Sequence, residues 1–561
     1  MKRLIYQVFV WIVSITFLAS CQADQGNDDQ AHDLIVYGGT SGGIIAAIQA
    51  ARMNKKVLLL EPSNHLGGMT TGGLVWTDYG IEETVGGLAA DFYDRIKAHY
   101  QQDQAWKNDD PQREFIMNEQ SRFIRSFEPS VADSIFRVML KEENVELHMN
   151  APLARPGGVV KEGTEIKSIN LEPGTTYQGK TFIDATYEGD LMAEAGVSYH
   201  VGREPKNQYN ESFAGVLGDD IGIRQPKKFF GKKVNPYDDE GNLLPGIQNV
   251  PMGEPGAGDD KIQAYNVRLC LTSDTENKIP VFKPASYDPW TYELLARWIA
   301  AVDNKEALTL DNFLKVSPVP NRKTDINDKN PFSTDYIGAN WDYPEGSYAS
   351  RKQIFEDHFE FTKGLIYFLG NDPRVPSQVR EEMLQYGYPK DEFVENGNIT
   401  PQIYIREARR MIGEYVMIQQ DCRENTIKAH SIGIGSYGVD SHHIQRIVIE
   451  GDEVINEGNF LADHFPYEIP YESILPKKSE CTNLLVPVCI SSSHIAFGSL
   501  RMEPVYMILG QSAATIAALA LETETPLHQL DYQEIRKRLE QNGQKLKLAD
   551  INLENVDLSP L

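Results

Sequence analysis

The side chains of this sequence that are best suited to proton transfer belong to two adjacent histidines, His442 and His443. Histidine titrates near neutral pH and can take a proton from a hydroxyl or an amine. Adjacent side chains point in different directions, so at most one of the two faces a reacting group. We favour His442 as the base with Asp440 as its orienting partner, and the reverse assignment to His443 stays open. The pair follows a glycine-rich segment, 433–438, predicted to be a flexible loop, and a loop histidine that only hydrogen-bonds the backbone is the alternative.

Other residues offer a second base and a site for a carboxylate. His494 is either a second base candidate or a buried structural residue. Arg406, Arg409 and Arg410 have the i, i+3, i+4 spacing that gathers side chains on one face of a predicted helix. Such a face holds a substrate carboxylate, for example that of a uronic acid, in bidentate fashion. Salt bridges to neighbouring acids are the alternative interpretation.

A glycine-rich turn near the N-terminus has the spacing of a phosphate-binding loop. In the pattern G-x-G-x-x-G, Gly38 and Gly43 hold the first and last positions, and Thr40 replaces the middle glycine. Thr40 therefore needs an unhindered rotamer or a hydroxyl contact with a phosphate. Glu61 lies where a carboxylate accepts hydrogen bonds from both ribose hydroxyls, and it would repel the 2′-phosphate of NADP. The sequence predicts an ADP-containing cofactor, and a unit that uses its glycines only for helix packing is the alternative.

A strand–helix–strand unit must position these groups. Leu34–Tyr37 and Val57–Leu60 are predicted as buried strands, and a helix beginning near Ser41 directs its positive end at the phosphates. Further predicted elements are a helix within 128–147, strands at 145–149 and 181–186, a helix at 505–521 and a surface helix at 532–542. The predicted fold class is α/β, a Rossmann-like βαβ domain interrupted by a larger α+β substrate or cap insertion.

The first residues are predicted to be an export signal. Residues 1–21 begin with basic residues, continue with an apolar run and end in Leu18-Ala19-Ser20-Cys21, which resembles the lipobox of bacterial lipoproteins. That resemblance implies lipidation of Cys21, with 22–32 as an acidic tether, and Gln22 favours the outer membrane, with the protein facing the periplasm or the surface. An ordinary secretory signal is the alternative. We expect no second apolar stretch long enough to span a membrane, so the lipid would be the only anchor.

Composition limits the partners of the chain. A net charge of −26 argues against nucleic acid, because phosphate backbones require a basic face. The cysteines beyond Cys21 show no C-x-x-C or metal-ligand spacing, and we expect no metal site. Cys481 and Cys489 either pair in an oxidising compartment or remain buried thiols.

Apolar, glycine-rich parts at both ends flank a more polar block. The predicted organisation is a signal peptide at 1–21, a tether at 22–32, a cofactor domain in two parts at 33–202 and 430–524, a substrate or cap domain at 203–429 between them, and a helical closing segment at 525–561.

Five segments carry a family resemblance. They are Leu66–Leu74, Ile183–Leu191, Ile405–Arg410, Gly435–His442 and Gly498–Pro504. Together they resemble the bacterial FAD-dependent oxidoreductase family, of the two-dinucleotide-binding-domain flavoprotein type, over nearly the whole mature chain. The resemblance implies a GR2-type FAD-binding domain. The implied FAD contacts are Gly38, Gly39, Thr40, Ser41, Gly42 and Gly43 at the pyrophosphate, Glu61 at the ribose, Gly67, Gly68, Met69 and Thr70 at the ribityl-side phosphate, and Ser499, Arg501 and Glu503 beside the isoalloxazine ring.

The resemblance also implies an activity, the transfer of a hydride from an extracytoplasmic small molecule to flavin N5. We favour a sugar or uronate only because a surface lipoprotein meets extracellular glycans. Tyr336–Tyr343 resembles surfaces on which sugar rings stack, and an ordinary polar loop is the alternative for this segment. A flavin-retaining lyase or isomerase is one alternative. A glycan-binding lipoprotein with a degenerate cofactor fold, suggested by Thr40, is another. Oxygen, a quinone and a partner protein are all open as the electron acceptor.

Overall fold

The computed structural model describes residues 31–107, 110–118, 121–217, 232–329, 332–423, 426–463 and 465–552. The predicted signal peptide, Cys21 and nearly all of the tether lie outside these residues.

Strands and helices alternate through the first part of the chain. The strands are β1 (His32–Tyr37), β2 (Val57–Leu60), β3 (Glu146–His148), β4 (Val159–Glu162), β5 (Glu165–Asn170), β6 (Thr176–Asp184), β7 (Tyr199–His200), β8 (Leu269–Thr272), β9 (Lys278–Pro280), β10 (Leu314–Val319), β11 (Lys323–Asp328), β12 (Gly387–Pro389), β13 (Arg410–Met411), β14 (Ser431–Gly435), β15 (Asp440–Ser441), β16 (Gln445–Ile449), β17 (Glu453–Glu457), β18 (Phe460–Leu461), β19 (Tyr467–Pro470) and β20 (Leu484–Leu485). The helices are α1 (Ser41–Arg52), α2 (Gly68–Thr71), α3 (Gly87–Tyr100), α4 (Arg113–Ile116), α5 (Pro129–Glu142), α6 (Asp190–Glu194), α7 (Lys206–Tyr209), α8 (Glu293–Ala301), α9 (Tyr348–Asn371), α10 (Ser377–Met383), α11 (Gln419–Arg423), α12 (His494–Leu500), α13 (Glu503–Thr523) and α14 (Tyr532–Gln541).

The main sheet has the order β3-β2-β1-β6-β5-β4, with β20 also paired to β6. β1, β2, β3, β6 and β20 are parallel, whereas β5 pairs antiparallel with β6, and β4 pairs antiparallel with β5. β1 and β2 are apolar along nearly their whole length because both faces of this sheet are covered. The predicted strand–helix–strand unit is confirmed, since β1 ends at Tyr37, α1 begins at Ser41 and β2 spans Val57–Leu60.

Helix α13 is the core helix that the sequence predicts. It is buried from Glu503 to Ala520 and packs against α1, α3, α14 and β14. Among the described residues it is also the helix long and apolar enough to cross a membrane, contrary to the expectation that no such stretch follows the signal. Its apolar composition is explained by its surroundings, because 94% of that window is buried inside the protein.

A second, antiparallel sheet with the order β10-β11-β8-β12-β9 lies in the middle of the chain. The helices α8, α9 and α10 share a separate apolar core with it, formed by residues such as Leu271, Leu295, Ile326 and Leu365. β11 matters for the site, because it ends at Asp328.

Two local predictions are wrong. Residues 405–409 are not helical, because each arginine of this segment reaches a different buried acid instead of sharing one helix face. Residues 433–435 belong to the buried strand β14, which pairs with β19, rather than to a flexible loop. Gly433 is required there by packing, since a Cβ would lie 2.5 Å from Ile508 Cγ2.

Candidate active site

The loop between β1 and α1 lies at the carboxyl edge of the parallel sheet. Gly38 has a φ of +107°, and a Cβ on Gly43 would lie only 1.8 Å from the Gly38 carbonyl oxygen. A Cβ on Gly42 would lie 2.8 Å from the carbonyl oxygen of Tyr506 in α13. The glycines therefore allow α1 to pack closely on the sheet and on α13. That packing places the start of α1, with its first-turn N–H groups, at the edge of the sheet where phosphates bind.

Thr40 takes the unhindered rotamer. Its hydroxyl donates to the Ala185 carbonyl oxygen at 2.7 Å and accepts from the Gly43 N–H at 3.3 Å, so that it caps α1. The threonine thus acts as a helix cap in place of the expected glycine, and its hydroxyl is held by the protein rather than directed at a phosphate.

Glu61 lies beside this loop, directly after β2. Its Oε2 accepts from the Gly39 N–H at 2.6 Å, and its Oε1 accepts from the Ser63 N–H and hydroxyl at 2.8 and 2.6 Å. Burial raises the pKa of Glu61 to about 7 against the lowering effect of these hydrogen bonds. Each carboxylate oxygen has two lone pairs, and the two Ser63 donors use both of those on Oε1, so Oε2 is the oxygen that can also accept from a ribose hydroxyl.

Glu503, at the start of α13, joins the predicted cofactor segments. Its Oε2 accepts from the hydroxyls of Ser41 and Thr70, both at 2.6 Å, and its Oε1 accepts from Tyr187 at 2.8 Å. Tyr187 in turn accepts from the Met69 N–H at 3.0 Å. Tyr187 was not among the predicted site residues, although the family segment 183–191 contains it. Burial raises the pKa of Glu503 above its ordinary value.

The two glycine-rich loops are held together at the same place. Gly67 donates its N–H to the Gly39 carbonyl oxygen at 2.7 Å, and Gly67 and Gly68 have φ values of +92° and +54°. A Cβ on Gly68 would lie 2.3 Å from the Tyr187 hydroxyl. A capped helix start, an acid after the second strand and a hydroxyl–carboxylate cluster therefore adjoin one another, and this donor set fits the pyrophosphate, ribose and ribityl groups of FAD.

A cavity of 530 Å³ lies on the far side of the turn that precedes α13. Arg501 and Met502 line it, and the next residue, Glu503, contacts the cofactor loops. The acidic, basic and histidine side chains of the cavity wall are Asp78, Arg125, Arg268, Lys315, Asp328, Lys329, Asp440, His442, His443 and Arg501. A cavity that joins titratable groups to the cofactor side of the protein is a candidate substrate site.

His442 is held by Asp335, an acid that is not the predicted partner. Its Nδ1 lies 2.6 Å from Oδ2 of Asp335, whereas its Nε2 lies 3.9 Å from Oδ2 of the predicted partner Asp440. Burial, together with Arg406, lowers the pKa of His442. Although burial raises the pKa of Asp335, Arg406 and His442 lower it to about 2. A neutral imidazole beside an ionised carboxylate carries its proton on Nδ1, which leaves Nε2 free to accept one.

Asp335 also belongs to a compact group with Asp328 and His442, whose ligand atoms lie within 4.8 Å of one another. No sequence pattern predicts this grouping, because His442 lies more than a hundred residues after the two aspartates. Burial and the charge of Asp335 raise the pKa of Asp328 well above its ordinary value. The Arg406 guanidinium lies 3.0 Å from Asp335 Oδ1 and already supplies a positive charge to this group.

Asp440 forms an ion pair with Arg501, with its Oδ2 2.7 Å from Nη2. Arg501 Nη1 donates to the Tyr404 hydroxyl at 2.9 Å. Ser499, predicted beside the flavin, is buried, and its hydroxyl donates to the Tyr437 carbonyl oxygen at 2.5 Å. Arg501 lines the cavity, whereas Ser499 is hydrogen-bonded in the interior of the protein.

Of the remaining predicted catalytic residues, His443 lines the cavity, whereas His494 and Arg406 do not. His443 lines the cavity beside His442, and burial lowers its pKa to about 3. His494 is buried with its Nδ1 2.8 Å from Glu407 and does not line the cavity. Arg406, only 1% exposed, contacts Asp335 rather than solvent, which argues against the predicted carboxylate-binding face. The salt-bridge alternative is the correct one for Arg410, which pairs with Glu204 and Glu407.

The aromatic block at 336–343 is packed inward. Tyr336 stacks on Phe361 with ring centroids 4.2 Å apart, and the indole of Trp341 donates to the Ile444 carbonyl oxygen at 3.0 Å. Because these rings contact the protein itself, the block does not form the predicted sugar-stacking surface. The cysteines of the described residues, including Cys481 and Cys489, are buried free thiols.

The parallel sheet, its glycine loop and the acid after β2 define a dinucleotide-binding protein. The sequence matches the family described as FAD dependent oxidoreductase over residues 33–539, and the chain belongs to that family. The predicted family membership is thus confirmed. No match was found among curated proteins.

Solved structures similar to this chain include L-proline dehydrogenase from P. horikoshii, with 17% identity and a TM-score of 0.22 over 31% of this chain and 59% of that one. L-amino acid deaminase from Proteus vulgaris has 16% identity and a TM-score of 0.22 over 31% of this chain and 60% of that one. Thioredoxin reductase from Streptococcus pyogenes has 18% identity and a TM-score of 0.16 over 28% of this chain and 35% of that one. The chain thus spans less than two thirds of each of these proteins.

Proposed function

We propose that this flavoprotein oxidises a sugar or its uronate outside the cytoplasm, in the cavity beside His442. The single observation that carries the proposal is the Asp335–His442 pair, with a 2.6 Å contact at Nδ1 and an imidazole on the cavity wall. The basic side chains of the same wall, among them Arg125 and Lys315, suit a substrate that carries a carboxylate. Membership of an oxidoreductase family favours this interpretation over a glycan-binding protein without catalysis.

The protein's own contribution is to bind the substrate and to accept a proton. Bound FAD supplies the acceptor for a hydride from a carbinol C–H bond. His442 Nε2 takes the proton of the neighbouring hydroxyl as the C=O bond forms, so the substrate loses two electrons and two hydrogens. Asp335 keeps the imidazole in the tautomer that leaves Nε2 free and stabilises the resulting cation.

The test is the visible spectrum of the purified full-length protein in detergent, under anaerobic conditions, after addition of galacturonic acid or related sugars. Lasting loss of the flavin band is expected with a true substrate. The His442→Gln variant should keep its bound FAD but lose the bleaching, whereas His430→Gln, at a histidine whose side chain is 47% exposed and does not line the cavity, should behave as the parent. Transient bleaching would instead favour a non-redox lyase or isomerase, and no response to any sugar would reject the substrate class.

The extracytoplasmic location rests on the sequence of residues 1–21 alone. We expect Cys21→Ser to abolish incorporation of labelled fatty acid and to release the protein from the membrane fraction. Retention of label by this variant would reject lipidation at Cys21.

A further inference from the structure

A second cavity, of 310 Å³, adjoins the catalytic one. The two share Trp76 and Arg125 in their walls, and the second is lined further by Phe115, Ile116 and Phe123. The rings of Trp76 and Phe115 are nearly parallel, with an interplanar angle of 20° and centroids 6.4 Å apart. Phe115 is 60% exposed although it is a large apolar side chain. An exposed aromatic surface of this kind beside a catalytic cavity marks a binding surface rather than a core element.

The backbone fixes the shared residues in place. Trp76 and Ser126 form an antiparallel bridge, and the Thr77 N–H donates to the Arg125 carbonyl oxygen at 2.7 Å. The Arg125 guanidinium lies over the Tyr79 ring, 5.0 Å from its centroid. Within the described ranges Arg125 forms no ion pair, whereas Arg268 pairs with Asp325 and Arg501 with Asp440. Arg125 thus presents a cation at the junction of the two cavities.

We propose that the second cavity is an outer subsite that holds the next ring of an acidic oligosaccharide. One apolar face of that ring lies on Phe115 and Trp76, and its carboxylate pairs with Arg125, while the terminal ring lies in the inner cavity beside His442. This inference rests on the proposed function, because it names the substrate class for the same site. It replaces the aromatic block at 336–343 as the surface for sugar stacking.

The test measures binding and flavin reduction separately, on the full-length holoprotein in detergent. The probes are galacturonic acid, its α-1,4-linked dimer and the neutral α-1,4-linked galactose dimer, and binding is followed by calorimetry. The acidic dimer is expected to bind more tightly than the acid monomer. Phe115→Ala should weaken binding of the dimer by about three- to tenfold and leave the monomer unchanged. Phe282→Ala, at a phenylalanine that is 70% exposed and lines neither cavity, is the matched control.

Arg125→Gln tests the charge, and it should weaken binding of the acidic dimer while binding of the neutral dimer stays the same. The inference is overturned if monomer and dimer bind alike, if no probe binds, or if Phe115→Ala and Phe282→Ala have the same effect. Binding of the acidic dimer that depends on Phe115 but causes no flavin reduction would support the outer subsite and reject the oxidation of uronates. Flavin reduction that depends neither on the number of sugar rings nor on Phe115 would support the oxidation of uronates and reject the outer subsite.

Discussion

His442 owes its chemical state to charges that reach it from several segments. Asp335 contacts Nδ1, Asp440 lies on the Nε2 side, and Arg406 contacts the outer oxygen of Asp335. The carboxylates raise the pKa of His442, while burial and Arg406 lower it below the ordinary value. The imidazole is therefore neutral at neutral pH and ready to accept a proton.

Asp335→Asn should lower the rate of anaerobic flavin reduction about a hundredfold, because the correct tautomer and the stabilised cation are lost. A base works only when unprotonated, so the reduction rate of the parent protein should rise with pH. Because the pKa of His442 is lowered, the midpoint of this rise should lie below about pH 6.5, the ordinary histidine value. Asp335 raises the pKa of His442, and its removal should move this rise to lower pH. The rates are measured by stopped-flow absorbance from pH 4.5 to 8.

A surface variant, Asp303→Asn, should leave both the rate and the profile unchanged, since the Asp303 side chain is 91% exposed, pairs with Lys232 at the protein surface and does not line the cavity. A lower rate with an unshifted pH profile in Asp335→Asn would indicate a structural role for Asp335 instead.

A second residue, Glu61, is expected to contribute to the affinity of the protein for FAD. Burial raises its pKa to about 7, and ribose hydroxyls donate more strongly to its ionised form. FAD should therefore bind more tightly as pH rises through about 7. Glu61→Gln should weaken FAD binding about tenfold at pH 8 and have little effect at pH 5.5, where Glu61 is already protonated. Titration of flavin fluorescence measures both constants, and an equal loss at the two pH values would contradict this role.

At the scale of elements, the contact between α1 and α13 positions the cofactor loop. The helices approach so closely that a Cβ on Gly510 would lie 2.1 Å from the Gly42 carbonyl oxygen. Backbone cannot move aside as a flexible side chain does, so added volume must separate the helices.

Gly510→Ala should thus lower the free energy of unfolding by about 2 kcal/mol or more and weaken FAD binding. The control is Gly370→Ala in α9, where the new Cβ meets nothing closer than 3.4 Å and should be neutral or stabilise the helix by up to about 1 kcal/mol. Chemical denaturation with and without FAD measures both variants. Equal stabilities for the two variants would show that the helix contact tolerates expansion.

At the scale of the whole molecule, a buried lysine joins the part of the chain that forms the antiparallel sheet to the part that forms the parallel sheet. Lys323, which begins β11, lies 2.7 Å from Glu128 at the start of α5 and 3.0 Å from Asp391, and it also pairs with Glu392. Burial alone would lower the pKa of Lys323, but these carboxylates raise it well above its ordinary value.

Lys323→Met should destabilise the protein by about 3–5 kcal/mol, because buried carboxylates would lose their counter-charge. Lys329→Met removes the exposed pair with Asp311 and should cost no more than about 1 kcal/mol. Urea denaturation compares the two. A loss of similar size in both would mean that water reaches the Lys323 cluster.

The sequence by itself determined the cofactor-binding unit, the core helix and the family. Those features depend on local patterns: a buried strand, glycines at fixed spacing, a helix start and an acid such as Glu61 follow one another within about thirty residues. The position of His442 was likewise found from neighbouring residue types.

Only the tertiary structure decided which groups surround that histidine. Asp335 lies more than a hundred residues before His442, and Trp76, Phe115 and Arg125 meet at the cavities from separate segments. The spacing of the arginines in 406–410 predicted one helix face, but each side chain forms an ion pair with a different buried acid from a distant part of the chain. Desolvated charges must find partners wherever the fold supplies them, and that requirement overrides local periodicity.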